Sequence, residues 1–463
     1  MSLSAIHAIK APLEQVWEWH TRPGAVQRLT PPFLPMKVRE GASNLKDGTT
    51  VFDLPAGQKW VAKHDPDKYK EFHQFSDVAA NTPIKQLTGW RHTHVFTTKK
   101  DGTTRISDHV DARVPAALLK PAFAYRQHQL TQDLAFLDRM STLTPTGGDP
   151  TKQRLVIAMT GSRGLVGTAL TAQLTTAGHS VIQLVRGEPT GTHQRHWDME
   201  NPDQEMLKGV DAVVHLAGES IMGRFNDDHK AKIYSSRVGP TRTLARAAAD
   251  AGVRTFVSAS AVGFYGTDAG DRVHTENDGP DEGFLADVVN DWEKATVYAK
   301  EGGVRTVNIR TGLALSGAGG LLPVLKLSAK TTMTARFGDG EFWMSWIALD
   351  DLTDIYFRAI VDDSVSGPIN ATAPNPVTNR ELSETLTSTV HRPELIGIPD
   401  FGPKILLGEE GAKELALADQ RVEPTKLREL NHHFRYPTLQ QALNHELGRE
   451  MLLRQPTRDT PVN

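Results

Sequence analysis

The run Thr160-Gly161-Ser162-Arg163-Gly164-Leu165-Val166-Gly167 sets three glycines at three-residue spacing between an apolar strand-like segment and an apolar helix-like one. In such a place Gly161 makes a tight turn, Gly164 lets backbone amides approach a pyrophosphate, and Gly167 lets the helix pack closely on the strand. The helix N-terminus then faces the phosphate charge. Glycine triplets also mark ordinary turns, and it is the strand–loop–helix context that points to a dinucleotide. Arg186 ends the next strand, 19 residues beyond Gly167. An acidic residue there would hold a ribose 2′-hydroxyl, whereas Arg pairs with a 2′-phosphate, so NADP is expected in preference to NAD. The alternative is a solvated arginine at a strand end.

Tyr265, in Gly263-Phe264-Tyr265-Gly266, follows the strand-like segment at 255–258 and has two readings. It is either a proton donor or a ring that packs and orients a loop. With an ordinary pKa near 10, a tyrosine is mostly protonated at neutral pH and serves better as donor than as base. Glu219, Arg224 and Lys294 are candidates for substrate contact that nothing local separates from surface charges, while Arg310 and Asp351 read as a structural ion pair or helix cap. His92-Thr93-His94 places two imidazoles on one strand face, and His432 and His433 are adjacent. Neither pair has a third ligand at a recognisable spacing, so no metal is expected. The glycine runs lack the Lys-Ser/Thr of a P-loop.

The chain that must position these groups has 463 residues, 52 Lys and Arg against 55 Asp and Glu, and a net charge of −3. Its length suggests two or three domains. The charge leaves no basic footprint for nucleic acid or anionic lipid, and a small-molecule substrate fits better. With no cysteine there is no disulfide, thiolate nucleophile or Cys-ligated metal. No signal segment or membrane-spanning run is legible, and a cytoplasmic protein is expected.

A Ser/Thr/Pro/Gly tract at 141–150 reads as a linker. Before it, residues 51–54, 69–75, 90–97 and 104–110 are short and β-rich, as in an antiparallel meander. A helix at 12–20 carries Leu13, Val16 and Trp17 on one face, and a helix at 122–140 carries Phe123, Leu130, Leu134 and Leu137 in one stripe. After the linker, strands at 154–160, 180–185, 210–216, 255–258 and 304–309 alternate with helices at 165–177 and 237–251. This is the pattern of a doubly wound parallel sheet in an α/β domain.

Two family resemblances follow. The order of the first 140 residues, opened by Ile9-Lys10-Ala11-Pro12-Leu13-Glu14-Gln15-Val16-Trp17, resembles the α+β helix-grip fold of the START-like and polyketide cyclase superfamily. That resemblance implies either a cavity for an apolar ligand, lined by residues such as Phe52, Phe72 and Trp90, or a filled scaffold. The Gly-x-x-Gly-x-x-Gly spacing resembles the extended short-chain dehydrogenase/reductases. More specifically, Leu216-Ala217-Gly218-Glu219-Ser220-Ile221, Ser258 to Gly266, Gly283 to Glu293, Arg310 to Gly320, Met344 to Asp351 and the C-terminal run 406–439 look like the atypical epimerase family proteins with their C-terminal domain of unknown function. The resemblance implies cofactor contacts from Asp198 to adenine and from Leu216, Ala217, Gly218 and Glu219, and a catalytic serine at the end of the fifth strand, Ser260. It also shows a departure. Where the superfamily has Tyr-x-x-x-Lys, this chain has Phe284-Leu285-Ala286-Asp287-Val288, so the usual acid/base pair is missing.

The reading is therefore a helix-grip domain at 1–140, a linker at 141–153, a Rossmann-type domain at 154–385 and a helical C-terminal domain at 386–463 on the substrate side. The expected activity is an NADP-dependent oxidoreductase or epimerase acting on an unidentified small molecule, with Ser260 and Tyr265 as catalytic candidates. The competing class is a non-catalytic dinucleotide sensor, of the kind suggested by the cell-division inhibitor label some relatives carry.

Overall fold

The computed structural model describes residues 2–143, 154–330, 333–393, 396–398 and 401–453. It divides into two compact units. The first comprises Met1–Arg139, Ala172–Gly178 and Asn444–Asn463, and the second comprises Met140–Thr171 and His179–Leu443. Most of the expected linker, 144–153, lies outside the described residues; its first residue, Ser141, closes the preceding helix.

The first unit is a single antiparallel sheet of seven strands in the order β1-β7-β6-β5-β4-β3-β2. The strands are β1 (Ser2–Ile9), β2 (Lys37–Glu40), β3 (Thr49–Asp53), β4 (Lys59–His64), β5 (Gln74–Ala79), β6 (Arg91–Thr98) and β7 (Thr104–Asp111). Its helices are α1 (Leu13–Thr21), the short α2 (Ala25–Arg28) and α3 (Ile84–Thr88), and the long α4 (Ala116–Ser141). The stripe expected on α4 is buried at Phe123, Leu130, Leu134 and Leu137, as are Val16 and Trp17 of α1. The strand expected at 69–75 is displaced: Phe72 takes a left-handed φ of 55° in a turn, and β5 begins only at Gln74. Along β6 and β7 alternate residues point inward, which buries His92, His94 and Phe96 on one strand and Ile106, Asp108 and Val110 on the other.

The stretch Asn444–Asn463 belongs to this unit. The His445 ring stacks on Tyr125 at 4.5 Å and its Nε2 lies 3.0 Å from Gln129 Oε1, while the Leu453 N–H donates to Gln127 at 2.9 Å.

The second unit holds a parallel sheet of seven strands. Its members are β8 (Val156–Thr160), β9 (Ser180–Val185), β10 (Gln194–His196), β11 (Ala212–His215), β12 (Thr255–Ala261), β13 (Arg305–Thr311) and a last strand, Gly367–Ala371. Their order is β10-β9-β8-β11-β12-β13 followed by Gly367–Ala371, so the winding reverses between β8 and β11. Helix α5 (Leu165–Thr176) connects β8 to β9; α6 (Asp227–Ser235) and α7 (Val238–Asp250) lead to β12; and α8 (Phe284–Ala295) precedes β13. All four residues of β11 are buried, as a strand covered on both faces requires. Helix α7 contributes Val238, Leu244, Ala245 and Ala248 to the core at helical spacing. The segment after residue 385 is only partly helical: Phe401–Gly411 and Thr425–Glu429 are helices, but the run between them pairs Ala269 with Asp419 and His274 with Arg421 through backbone hydrogen bonds. No helix among the described residues is long and apolar enough to cross a membrane.

Candidate functional site

At the reversal of the parallel sheet the chain leaves β8 through Gly161, whose φ is +66°, and turns into α5. A Cβ on Gly161 would lie 2.8 Å from the Leu216 carbonyl carbon, and one on Gly167 would lie 2.3 Å from the Gly161 carbonyl oxygen. Both glycines are therefore dictated by backbone contact. Thr160 fastens the rim: its Oγ1 is 2.7 Å from His215 Nδ1 and accepts the N–H groups of Leu216 and Ala217 at 3.1 and 3.2 Å. Burial, then the charge of Arg237, lowers His215 to about 3, so the ring is neutral.

Ser162 is buried, Leu165 and Val166 are half-buried, and Arg163, Gly164, Gly218 and Glu219 are exposed around this turn. The Glu219 backbone is held from both sides: its N–H donates to Ser236 Oγ at 3.0 Å and its carbonyl accepts from Arg237 at 2.8 Å. The glycine cradle and the first turn of α5 together fit a dinucleotide pyrophosphate, and Arg186 is exposed beyond β9. Asp198 follows the buried Trp197, and its carboxylate accepts the N–H groups of Glu200 and Asn201 at 2.8 and 3.2 Å. It shapes that turn.

Deeper in the unit, Ser260 at the end of β12 donates to Glu293 Oε1 at 2.6 Å. Arg310 of β13 grips the same carboxylate with two bonds of 2.8 Å. Its third arm donates to the Tyr265 hydroxyl at 2.8 Å, which in turn meets Asn370 Oδ1 at 2.7 Å and the Thr275 carbonyl at 2.9 Å. The Arg310 guanidinium also lies 3.5 Å from the centre of the Phe264 ring.

Tyr265 is 1% exposed, stacked on His274, and pushed up to about 12 by burial. Of its two readings, this geometry carries the packing one: the hydroxyl ties β13, the strand Gly367–Ala371 and the loop at Thr275 together. Glu293, passed over as a site residue because it reads as one charge on a helix, is the centre of the network. Its signal was register: two residues before the end of a helix, it shares a face with the buried Ala286 and Val289 instead of pointing to water.

Phe284 and Val288, which replace the expected pair, are packed. Val288 is in an apolar cluster with Leu285 and Ile233, and the Phe284 ring sits edge-on to Phe225 at 5.8 Å. Glu414 accepts the Phe284 and Leu285 N–H groups at 3.2 and 3.1 Å and so caps α8 from the C-terminal segment. Lys294 pairs with Asp291 on the surface, and Arg224 is exposed. The structural reading of Asp351 holds: it accepts the N–H groups of Arg435 and Tyr436 at 2.6 and 3.1 Å.

The first unit contains a cavity of about 240 Å³ lined by aromatic and aliphatic groups such as Leu29, Phe52, Trp60, Phe75, Trp90 and Phe123. Phe72, expected among them, is exposed in its turn. Polar groups intrude at one part of the lining, namely Asp77, His92, His94, His20 and Arg126. The Arg126 guanidinium donates to the Leu29 carbonyl at 3.3 Å, and burial lowers its pKa. Burial likewise pushes His20 down to about 4.

A model of the NAD-dependent epimerase/dehydratase family matches residues 157–371, and one of a domain of unknown function, DUF1731, matches residues 398–446. An epimerase family protein of Mycobacterium bovis is 41% identical over 297 residues, which are 64% of this chain and 98% of the relative. The crystal structure of a nucleoside-diphosphate sugar epimerase from Corynebacterium glutamicum aligns over 97% of this chain and 91% of its own, with 50% identity and a TM-score of 0.86. The human epimerase family protein SDR39U1, solved with NADPH, covers 63% of this chain and 99% of its own at 27% identity and a TM-score of 0.58.

Proposed function

Because the chain belongs to the NAD-dependent epimerase/dehydratase family, we propose that its second unit is an atypical short-chain dehydrogenase/reductase that binds NADP(H) and turns over a small molecule without the Tyr-Lys pair. The observation that carries this reading is the backbone cradle at Gly161 and Gly167 beside the exposed Arg186. Residues 161–167 would hold the pyrophosphate, Arg186 the 2′-phosphate, and Asp198 with residues 216–219 the adenine side and the nicotinamide rim. The bound cofactor supplies hydride acceptance or donation.

The chain's own part is proton handling. Ser260 takes a proton from a substrate hydroxyl at Oγ while passing its own along the 2.6 Å bond to Glu293, and the reverse order returns it. Arg310 holds the carboxylate in place for that exchange. Tyr265, with its pKa pushed up to about 12, is not a base at neutral pH.

Calorimetric titration tests the cofactor claim. A charge-assisted contact to the 2′-phosphate is worth about 1.5–3 kcal/mol, so Arg186→Asp is expected to weaken NADPH binding by about tenfold or more while leaving NADH nearly unchanged. Equal affinities of the wild type for NADPH and NADH would overturn it. Ser260→Ala in a carbonyl-reduction assay tests the relay.

The packing of Phe284 and Val288 favours a second reading, a sensor that binds the dinucleotide and does not turn over. Tight NADPH binding with no hydride transfer to any of a broad carbonyl panel would select it. For the first unit, the sheet, the long helix and the apolar cavity support a helix-grip ligand domain that takes an apolar small molecule.

A further inference from the structure

The two histidines that chain spacing leaves without a third ligand gain one from strand pairing. In the antiparallel register Asp77 of β5 stands directly opposite His92 of β6, and His94 of β6 directly opposite Asp108 of β7. One ligand atom from each of Asp77, His92 and His94 lies within 4.8 Å of the others, and all three residues line the cavity.

We propose that Asp77, His92 and His94 bind a divalent transition-metal ion of the zinc class, with its remaining coordination positions open to the cavity. The argument is one of hydrogen-bond bookkeeping. His92 Nε2 lies 3.0 Å and His94 Nδ1 2.7 Å from the same oxygen of Asp108. A carboxylate only accepts, so each imidazole donates to it from one nitrogen, which leaves the other nitrogen as the one that can hold an ion. Those nitrogens are His92 Nδ1 and His94 Nε2.

His92 Nδ1 faces Asp77 Oδ2 at 3.5 Å. The two atoms share one cation, a proton in the metal-free protein and the ion when it is bound, and 3.5 Å is close to the edge of a tetrahedron with bonds of about 2.1 Å. Asp108 then plays the outer carboxylate that fixes tautomer and ring orientation of both ligands. The Trp90 indole N–H does the same for Asp77, donating to its Oδ1 at 3.0 Å.

Three protein ligands leave a tetrahedral ion one open position, the arrangement of a site that binds or activates a guest and not of a closed structural one. Charge indicates the guest. Two carboxylates, one divalent ion and Arg126 sum to one excess positive charge, and the surrounding wall is aromatic and aliphatic. The complement is a small apolar molecule with a single anionic oxygen donor, a carboxylate or an enolate, coordinating the ion and facing Arg126. The metal claim does not depend on the reading of the second unit; the guest class rests on the reading of this cavity as a ligand site.

The test uses the full chain, stripped with a chelator and titrated with Zn²⁺ in a calorimeter and with Co²⁺ by visible absorption. The expected result is about one tightly held equivalent per chain, with Co²⁺ bands typical of four-coordination. Asp77→Asn and His94→Gln should abolish tight uptake, and Asp108→Asn should weaken it by about 10–100-fold while preserving stoichiometry. Circular dichroism and chemical denaturation of each variant report that the first unit is still folded. The wild type alone can sink the proposal, by showing no stoichiometric uptake of either ion. Uptake that survives unchanged in both ligand variants would sink it too, since the ion would then reside on other histidines.

Discussion

In the second unit Ser260, Glu293, Arg310, Tyr265 and Asn370 form a chain in which each named group meets the next at 2.6–2.8 Å. In the first, Asp77, His92, His94 and Arg126 border open volume, and a nitrogen and a carboxylate oxygen face each other across 3.5 Å. Both sets contain a carboxylate and an arginine, and their use differs. Where hydrogen-bonding capacity is consumed internally, burial yields rigidity and a fixed geometry. Where it is left over beside a cavity, burial yields a place for something else.

The sharpest break of this comparison is Glu293→Ala. It strands a buried Arg310, and removing one partner of such a pair costs about 3–5 kcal/mol. Chemical denaturation should show a loss of that order, and a loss well under 1 kcal/mol would mean the network does not hold the unit together. Next is Tyr265→Phe, which leaves Arg310 and Asn370 each short of a partner for about 1–3 kcal/mol. The rate per folded molecule should stay the same; a rate falling in excess of the stability loss would return Tyr265 to the reacting atoms.

A third effect separates on the pH axis. Burial, then the neighbouring Asp354 carboxylate, pushes Asp351 up to about 7. A raised acid favours its protonated form in the folded state. Its contribution to stability is therefore complete below the ordinary carboxyl range near 4 and is lost as pH rises towards 7. The melting temperature of wild type relative to Asp351→Asn should accordingly fall between pH 5 and pH 8, and a pH-independent difference would count against the shift.

The parallel sheet and its glycine turn were legible because a buried strand is apolar throughout and a close backbone approach admits only glycine, as at Gly161 and Gly167. Both signals are local. The antiparallel sheet was legible in outline, but β4 escaped because Lys59-Trp-Val-Ala-Lys-His64 alternates weakly. A left-handed Phe72 moved the start of β5. Asp77 escaped for a different reason: it stands 15 residues from His92 in the chain and opposite it only through the β5–β6 register, which has no linear signature. Glu293 likewise acquires its meaning from β12 and β13, which converge on it from either side of the helix in sequence.

The tail that packs against α4 has a consequence for synthesis. Leu452 joins the cluster of Leu3, Val110 and Phe123, and the His128 ring pairs with the Glu450 carboxylate. A ribosome releases these partners at opposite ends of its work. Domains ordinarily mature in the order in which they emerge, but here the contacts of the first unit with residues 444–453 can form only after the dinucleotide unit has been made. The first unit can therefore complete this packing only after the second has been made.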